Sequence, residues 1–349
     1  MQTLQEKKTV SATETDASKT LFIFNPEHDF ALAVGNGPYT PPAEIILLKK
    51  KLSLLPATYA ADSDFILIPD DTSADFIDNS PYIKLVEEKN LRLVDLRQIS
   101  SNFKEINKII PWGWDHNIRR MLLENGAPES LVPSEENIEN IRRLSHRRTT
   151  IPFKETISQF LGENVKLPSK ELFSIEEVEE YLKFHSPSFF KAPWSSSGRG
   201  IVVSDHISRK GLLEWAHGMI RRQGSVIAEP AWKKSMDFAT EWIVSDGQPV
   251  FLGFSVFEAS SRGKYHGNID GSQSDLHRMI IKGAPAMTLE VLEAQKFAIQ
   301  KHISPHYNGP LGIDMLADTD GNINYCVEIN LRLTMGHIFL KNSKNILLL

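Results

Sequence analysis

The chain has 349 residues, 41% of them hydrophobic, a net charge of −5 and a single cysteine, Cys326. That length can build two or three lobes of roughly 100 to 200 residues each, and the acidic balance gives no global basic field for a nucleic-acid backbone. One thiol excludes an internal disulfide framework and a multi-cysteine zinc site, favouring a reducing compartment with the cytoplasm as the simplest address, and no run of eighteen apolar residues offers a membrane span.

Residues 1–20 are rich in Lys, Thr, Ser and Glu, lack an apolar signal-peptide core and read as a disordered tail. Leu21 to Phe24 is a short apolar run stopped by Asn25-Pro26, the pattern of a buried strand that delivers the loop Asn25 to Asp29 to a sheet edge. Pro41 to Leu55 reads as a helix, and Phe65 to Ile68 and Leu91 to Val94 as strands, so residues 21–125 form a small α/β domain. Asp115 is placed to cap a helix carrying Ile118, Met121 and Leu122, and Ser134 one carrying Ile138, Ile141 and Leu144; both are expected to bridge lobes. Trp112 and Trp114 are expected to pack a domain junction.

From about Ser145 short strands alternate with helices: Phe189 to Ala192, Ile201 to Ser204, Val226 to Glu229, Phe238 to Val244, Val250 to Phe257, Leu311 to Leu316 and Ile323 to Ile329. The class is α+β, divided at 126–228 and 229–349. Only nineteen residues follow Asn330, so any closing helix is short.

The last two strands flank the turn Asp318 to Asn322 and form a hairpin. With Gly321 near its centre, Asp314 and Glu328 face each other across the ladder, and Asn330 shares their face by the period-two rule. Facing carboxylates at about 5 Å repel unless a cation lies between them, and three oxygen ligands suit Mg²⁺. A solvated edge hairpin is the plainer reading, but Ile313, Met315, Val327 and Ile329 beside the acids place them next to a core, where acids need partners.

Earlier in the chain Lys191 precedes the small-residue loop Ser195 to Gly200, and a β-branched run follows. A Walker A loop has the opposite order, with its Lys after the glycines, so this is no P-loop; the loop N–H groups, its hydroxyls and an ammonium can still hold phosphate, as a plain hairpin turn would also explain.

Taken together these segments resemble the ATP-grasp superfamily over about Ser145 to Gly336: a strand Lys before a small-residue loop, then Asp followed by Glu-x-Asn, matched by Asp314, Glu328 and Asn330 and extended by Arg332 and Gly336. The resemblance implies two α+β lobes clamping ATP, preceded by a variable domain. It implies Asp314, Glu328 and Asn330 as Mg²⁺ ligands and Lys191 with Ser195, Ser196, Ser197 and Gly198 around the phosphates. Glu229 would contact the adenine and Asp237 the ribose, with a surface acid as the alternative for Asp237. The family's lysine on the helix before the flap is absent from Ser145 to Thr149, where Arg147 or Arg148 is the substitute, Arg148 being the one assigned to the nucleotide.

The implied activity is ATP- and Mg²⁺-dependent phosphorylation of a carboxylate for attack by an amine or other nucleophile, with Lys191 and Arg332 catalytic. A small-molecule kinase and a non-catalytic nucleotide-binding module are the alternatives. Expected partners are a small-molecule carboxylate and an amine, without nucleic acid or membrane, and with a homodimer left open. Ser255 to Asn268 is a polar segment suited to the acceptor; Arg262, Lys264 and Arg278 can pair a carboxylate and Glu27, His28 and Asp29 an amine, although a solvated surface explains the same charges. His28, His266 and His277 lack metal-ligand spacing.

Overall fold

A computed structural model of the chain describes residues 18–164, 168–195, 198, 200–259 and 265–344. Three sheets carry the architecture. The first is parallel and holds β1 (Lys19–Ile23), β2 (Phe65–Leu67), β3 (Arg92–Val94) and β4 (Ile106–Pro111) in the order β3-β2-β1-β4. The chain steps outward from β1 to β3 and then returns to the other side of β1. The crevice between the carboxyl ends of β1 and β4 is therefore a topological switch point, where ligands of open α/β sheets bind.

Most of the expected tail lies outside the described residues, but Lys19 and Thr20 belong to β1, and Thr20 N donates to Asp64 Oδ1 at 2.8 Å. The expected helix from Pro41 to Leu55 forms as Ala43–Lys51, followed by a 3-10 turn at Leu55–Thr58. Sequence reading passed over β4: two exposed polar positions, Asn107 and Lys108, interrupt its apolar pattern because they lie at its solvated start.

The second sheet is antiparallel and comprises β5 (Lys170–Leu172), β6 (Ser188–Lys191), β7 (Ile201–Val203) and β8 (Val226–Pro230), ordered β5-β8-β6-β7. The third, also antiparallel, comprises β9 (Lys234–Ser245), β10 (Gln248–Ala259), β11 (Tyr265–Asn268), β12 (Gly309–Asp318) and β13 (Ile323–Asn330), ordered β11-β10-β9-β12-β13. Its two faces follow the period of two. Phe238, Trp242, Val256, Ile313, Met315 and Ile329 enter one large core, joined there by Ile138, Ile141 and Leu144. Asp115 and Ser134 cap their helices as the sequence predicts, accepting from Ile118 N at 3.0 Å and Asn137 N at 3.2 Å.

Beyond β13 the chain runs into the helix Met335–Lys344 and packs against the first domain. Leu333 and Ile338 share a core with Phe24 and Trp112, and Leu333 N donates to Trp112 O at 2.9 Å. Trp112 thus lies at a junction between the first domain and the chain's end. Among the described residues no helix is long and apolar enough to cross a membrane.

Candidate active site

The face of the third sheet opposite its core carries the polar groups. Glu328 is the register partner of Asp314, which pairs on its other side with Ala239; Asn330 pairs with Gly312, which pairs with Glu241. Positions 237, 239, 241, 312, 314, 328 and 330 therefore share one face. That face floors a cavity of about 430 Å³, and Asp237, Glu241, Asp314, Glu328, Asn330 and Arg332 all contribute to its wall. Gly198 of the loop after β6 lies in the wall too.

Asp314, Glu328 and Asn330 are brought together by register and by contact. Asn330 Nδ2 donates to Asp314 Oδ2 at 3.2 Å, while Asn330 Oδ1 accepts from Arg332 Nη2 at 2.9 Å. Burial, with Glu328 and Glu241 nearby, pushes the Asp314 carboxyl up to about 8, against the opposing pull of Arg332 and Asn330. Two facing carboxylates with an amide oxygen beside them are the hard donor set of a divalent cation, so the residues present fit Mg²⁺.

Below the loop after β6 lies a second polar cluster. Lys191 ion-pairs with Glu229; Lys154 Nζ stands 3.8 Å from the same carboxyl, and Ser169 Oγ donates to it at 3.0 Å. All four side chains are buried. Burial pushes the Glu229 carboxyl up, but the Lys191 and Lys154 ammoniums prevail and hold it below its ordinary value. Cys326, fully buried on β13, connects the clusters: burial pushes its thiol up, Lys154 and Lys191 pull it down, and Asp314 and Glu229 add to the rise. Lys154, Lys191, Glu229 and Asp314 thus lie within electrostatic reach of one side chain.

Arg147 bridges the lobes. Its Nη1 donates to Ala192 O at 2.6 Å and Ser195 Oγ at 2.8 Å, and its Nη2 to Ser195 O at 3.1 Å and Glu328 Oε1 at 2.6 Å. Arg148, the residue assigned to the nucleotide in the sequence, is half-exposed with its Nη1 3.8 Å from Glu171, and neither it nor Arg147 lies in the cavity wall. The 3-10 turn Arg147–Thr149 points adjacent side chains in different directions, and only Arg147 faces inward. Lys154, on the helix Thr150–Phe160, was not singled out in the sequence, yet its ammonium stands beside the Glu229 carboxyl. Its place beside the buried Phe153 and Ile157 on a helix was the available signal.

Lys191, Ser195 and Glu229 do not line the cavity; Ser195 is held by Arg147 and Glu229 by Lys191. Asp237 is in the wall, with Lys234 Nζ donating to its Oδ2 at 2.6 Å. Ser196 and Ser197 lie outside the described residues, as do Arg262 and Lys264. Arg278 is exposed and pairs with Asp275 at 3.2 Å, away from the cavity; Ser255 and Asn268 line it.

One further group, Glu241, went unread in the sequence. Glu241 accepts from Ser255 Oγ at 2.9 Å and Thr334 Oγ1 at 2.8 Å, and its Oε2 is 3.1 Å from Nδ1 of the fully buried His337. The chain crosses so closely here that a Cβ on Gly336 would stand 1.9 Å from Glu241 Oε1. From the first domain, Asp29 takes Arg332 Nη2 at 3.0 Å; burial pushes its carboxyl up, but Arg332 and His28 hold it below the usual carboxylate range. Glu27 and His28 are buried, not solvated.

No family model matches the sequence, and no curated protein matches it. Solved structures do match. The biotin carboxylase of Campylobacter jejuni, described as a β-γ-ATP complex, superposes with a TM-score of 0.59 at 13% identity over 96% of this chain and 70% of that one. The biotin carboxylase domain dimer of Hydrogenobacter thermophilus 2-oxoglutarate carboxylase, with MgADP, ADP and bicarbonate, gives 0.53 at 13% over 93% and 69%. The N5-carboxyaminoimidazole synthetase of Staphylococcus aureus with ADP gives 0.51 at 16% over 90% and 71%. The chain has the α+β ATP-grasp fold.

Proposed function

We propose that the chain is an ATP- and Mg²⁺-dependent ligase that activates a carboxylate as an acyl phosphate for attack by an amine. The observation that carries this reading is the partly buried cross-strand pair of Asp314 and Glu328, with Asn330 on the same face, in the wall of the cavity of about 430 Å³. Fold alone does not give function, and the donor set is what favours nucleotide chemistry over a binding role. In this reading residues 21–125 hold the non-nucleotide substrate, and 126–228 and 229–349 are the two jaws.

Asp314, Glu328 and Asn330 would hold Mg²⁺, which when bound neutralises charge between the phosphates. Lys191, the loop Ser195 to Gly198 and Arg147 position the phosphate end. Glu229 orients Lys191 and Lys154, and Asp237 lies where a ribose can meet it. Arg332 projects its guanidinium between Asn330 and Asp29, where it favours a carboxylate and then the anionic acyl phosphate. Positioning and electrostatic stabilisation do most of the work in such transfers.

Incubation with Mg-ATP and pooled amino acids and small carboxylates tests the reading. Phosphate release with a new ligated mass, lost in Glu328→Gln, is expected; phosphate transfer without ligation gives a kinase instead, and the absence of any turnover contradicts both.

A further inference from the structure

A continuous line of contacts orders the site in space. It runs from the loop after β6 through Arg147 to Glu328, across the ladder to Asp314, on to Asn330, then through Arg332 to Asp29 of the first domain. The phosphate-binding loop and the first domain therefore stand at opposite ends of a row of polar groups. At the far end the cavity changes character. Its wall there is Phe24, Ile45, Leu48, Leu52, Trp112 and Met335.

The sequence explains this apolar end. Ile45, Leu48 and Leu52 recur at i, i+3 and i+7, one face of the helix Ala43–Lys51 and its C-cap. Ile45 is 2% exposed and anchors the helix, whereas Leu48 remains 37% exposed. Phe24 and Trp112, from the carboxyl ends of β1 and β4, pack edge to face with centroids 5.2 Å apart. These ends flank the switch point of the parallel sheet. A chamber with aliphatic and aromatic walls beside one partly buried Arg–Asp pair is built for a ligand with a polar head and an apolar body.

We infer that the non-nucleotide substrate housed by the first domain carries an apolar substituent of several carbons, which lies against Leu48, Ile45 and Trp112 while its polar head meets Arg332 and Asp29. This rests on the ATP-dependent reading of the same cavity and narrows it. The head is a carboxylate facing Arg332 or an ammonium facing Asp29; the apolar body is common to both, and the experiment separates them.

The full chain is titrated with Mg²⁺ and a non-hydrolysable ATP analogue, and then with straight-chain carboxylates and straight-chain amines of two to eight carbons. Affinity in one series is expected to rise about threefold to fourfold per added methylene until the chamber is full, the increment for burying a CH₂ group. A rise in the carboxylate series assigns the head to Arg332, and one in the amine series assigns it to Asp29. In Leu48→Trp, whose half-exposed site tolerates the larger ring, the rise stops at a shorter chain. Affinity independent of length in both series, or an unchanged length limit in Leu48→Trp, overturns the inference even if the nucleotide binds. Failure of the analogue itself to bind strikes at the ATP reading instead and is read in the first titration.

Discussion

Arg147 Nη2 lies 2.6 Å from Glu328 Oε1, joining two residues 181 positions apart. The same guanidinium holds the backbone at Ala192 and Ser195, so a single buried cation fixes the loop after β6 relative to the hairpin. Arg147→Ala leaves a partly exposed carboxylate and two carbonyl acceptors unpaired. It is expected to destabilise the fold by about 1 to 3 kcal/mol, the scale of leaving buried acceptors unsatisfied. Urea denaturation checks this, and Arg148→Ala, at a half-exposed position, is expected to change stability by no more than about 0.5 kcal/mol.

Glu229 compensates two ammoniums. Glu229→Gln is therefore expected to cost more than Lys191→Met, because the first strands both Lys191 and Lys154 in the interior, whereas the second still leaves Glu229 its Lys154 contact at 3.8 Å. Comparing the two denaturation midpoints decides the order. The carboxyl is held low in the folded state, so its stabilising contribution is present above the unfolded carboxylate range and is lost as pH falls through the folded value.

His146 supplies a second pH dependence. It is 1% exposed; burial, then the charges of Arg148, Arg142 and Arg147, lower its imidazole to about 3, although Glu171 stands 3.6 Å away. The unfolded chain takes up the proton first, near pH 6.5. Stability is then complete above that value and declines as pH falls toward about 3, by about 2 kcal/mol between pH 6.5 and 5. Denaturation at both pH values should show this loss in the wild type and a smaller one in His146→Gln; equal slopes would remove His146 from the account.

Gly336→Ala tests the close crossing over Glu241. With a Cβ 1.9 Å from Oε1 and 2.6 Å from Cδ, the chain or Glu241 must shift and break the Ser255 and Thr334 hydrogen bonds. A loss of at least about 1 to 3 kcal/mol is expected from overpacking of this kind, read as a lowered melting temperature.

What the sequence revealed depended on range. The hairpin was legible because register and face follow from a local turn and the period of two, which put Asp314 against Glu328 from counting alone. The inward turn of Arg147 was not, since two adjacent arginines in a 3-10 turn differ only in direction. Lys154 was hidden for another reason: a lysine on an amphipathic helix normally marks its solvated face, and here a glutamate from β8 draws it inside. Least legible was the Asp29–Arg332 pair, separated by 303 residues and formed only when the chain's end folds back onto the first domain. Long-range closure of this kind leaves no local pattern.

The central claim is that Asp314, Glu328 and Asn330 hold a divalent ion together with a nucleotide. Titrating Mn²⁺ into the protein with ADP, and reading free Mn²⁺ by electron paramagnetic resonance, tests it most directly. The account predicts a nucleotide-dependent Mn²⁺ site in the wild type whose affinity falls at least about tenfold in Glu328→Gln, the scale of losing a metal-site residue. Equal Mn²⁺ binding by both proteins, with ADP present, would contradict it.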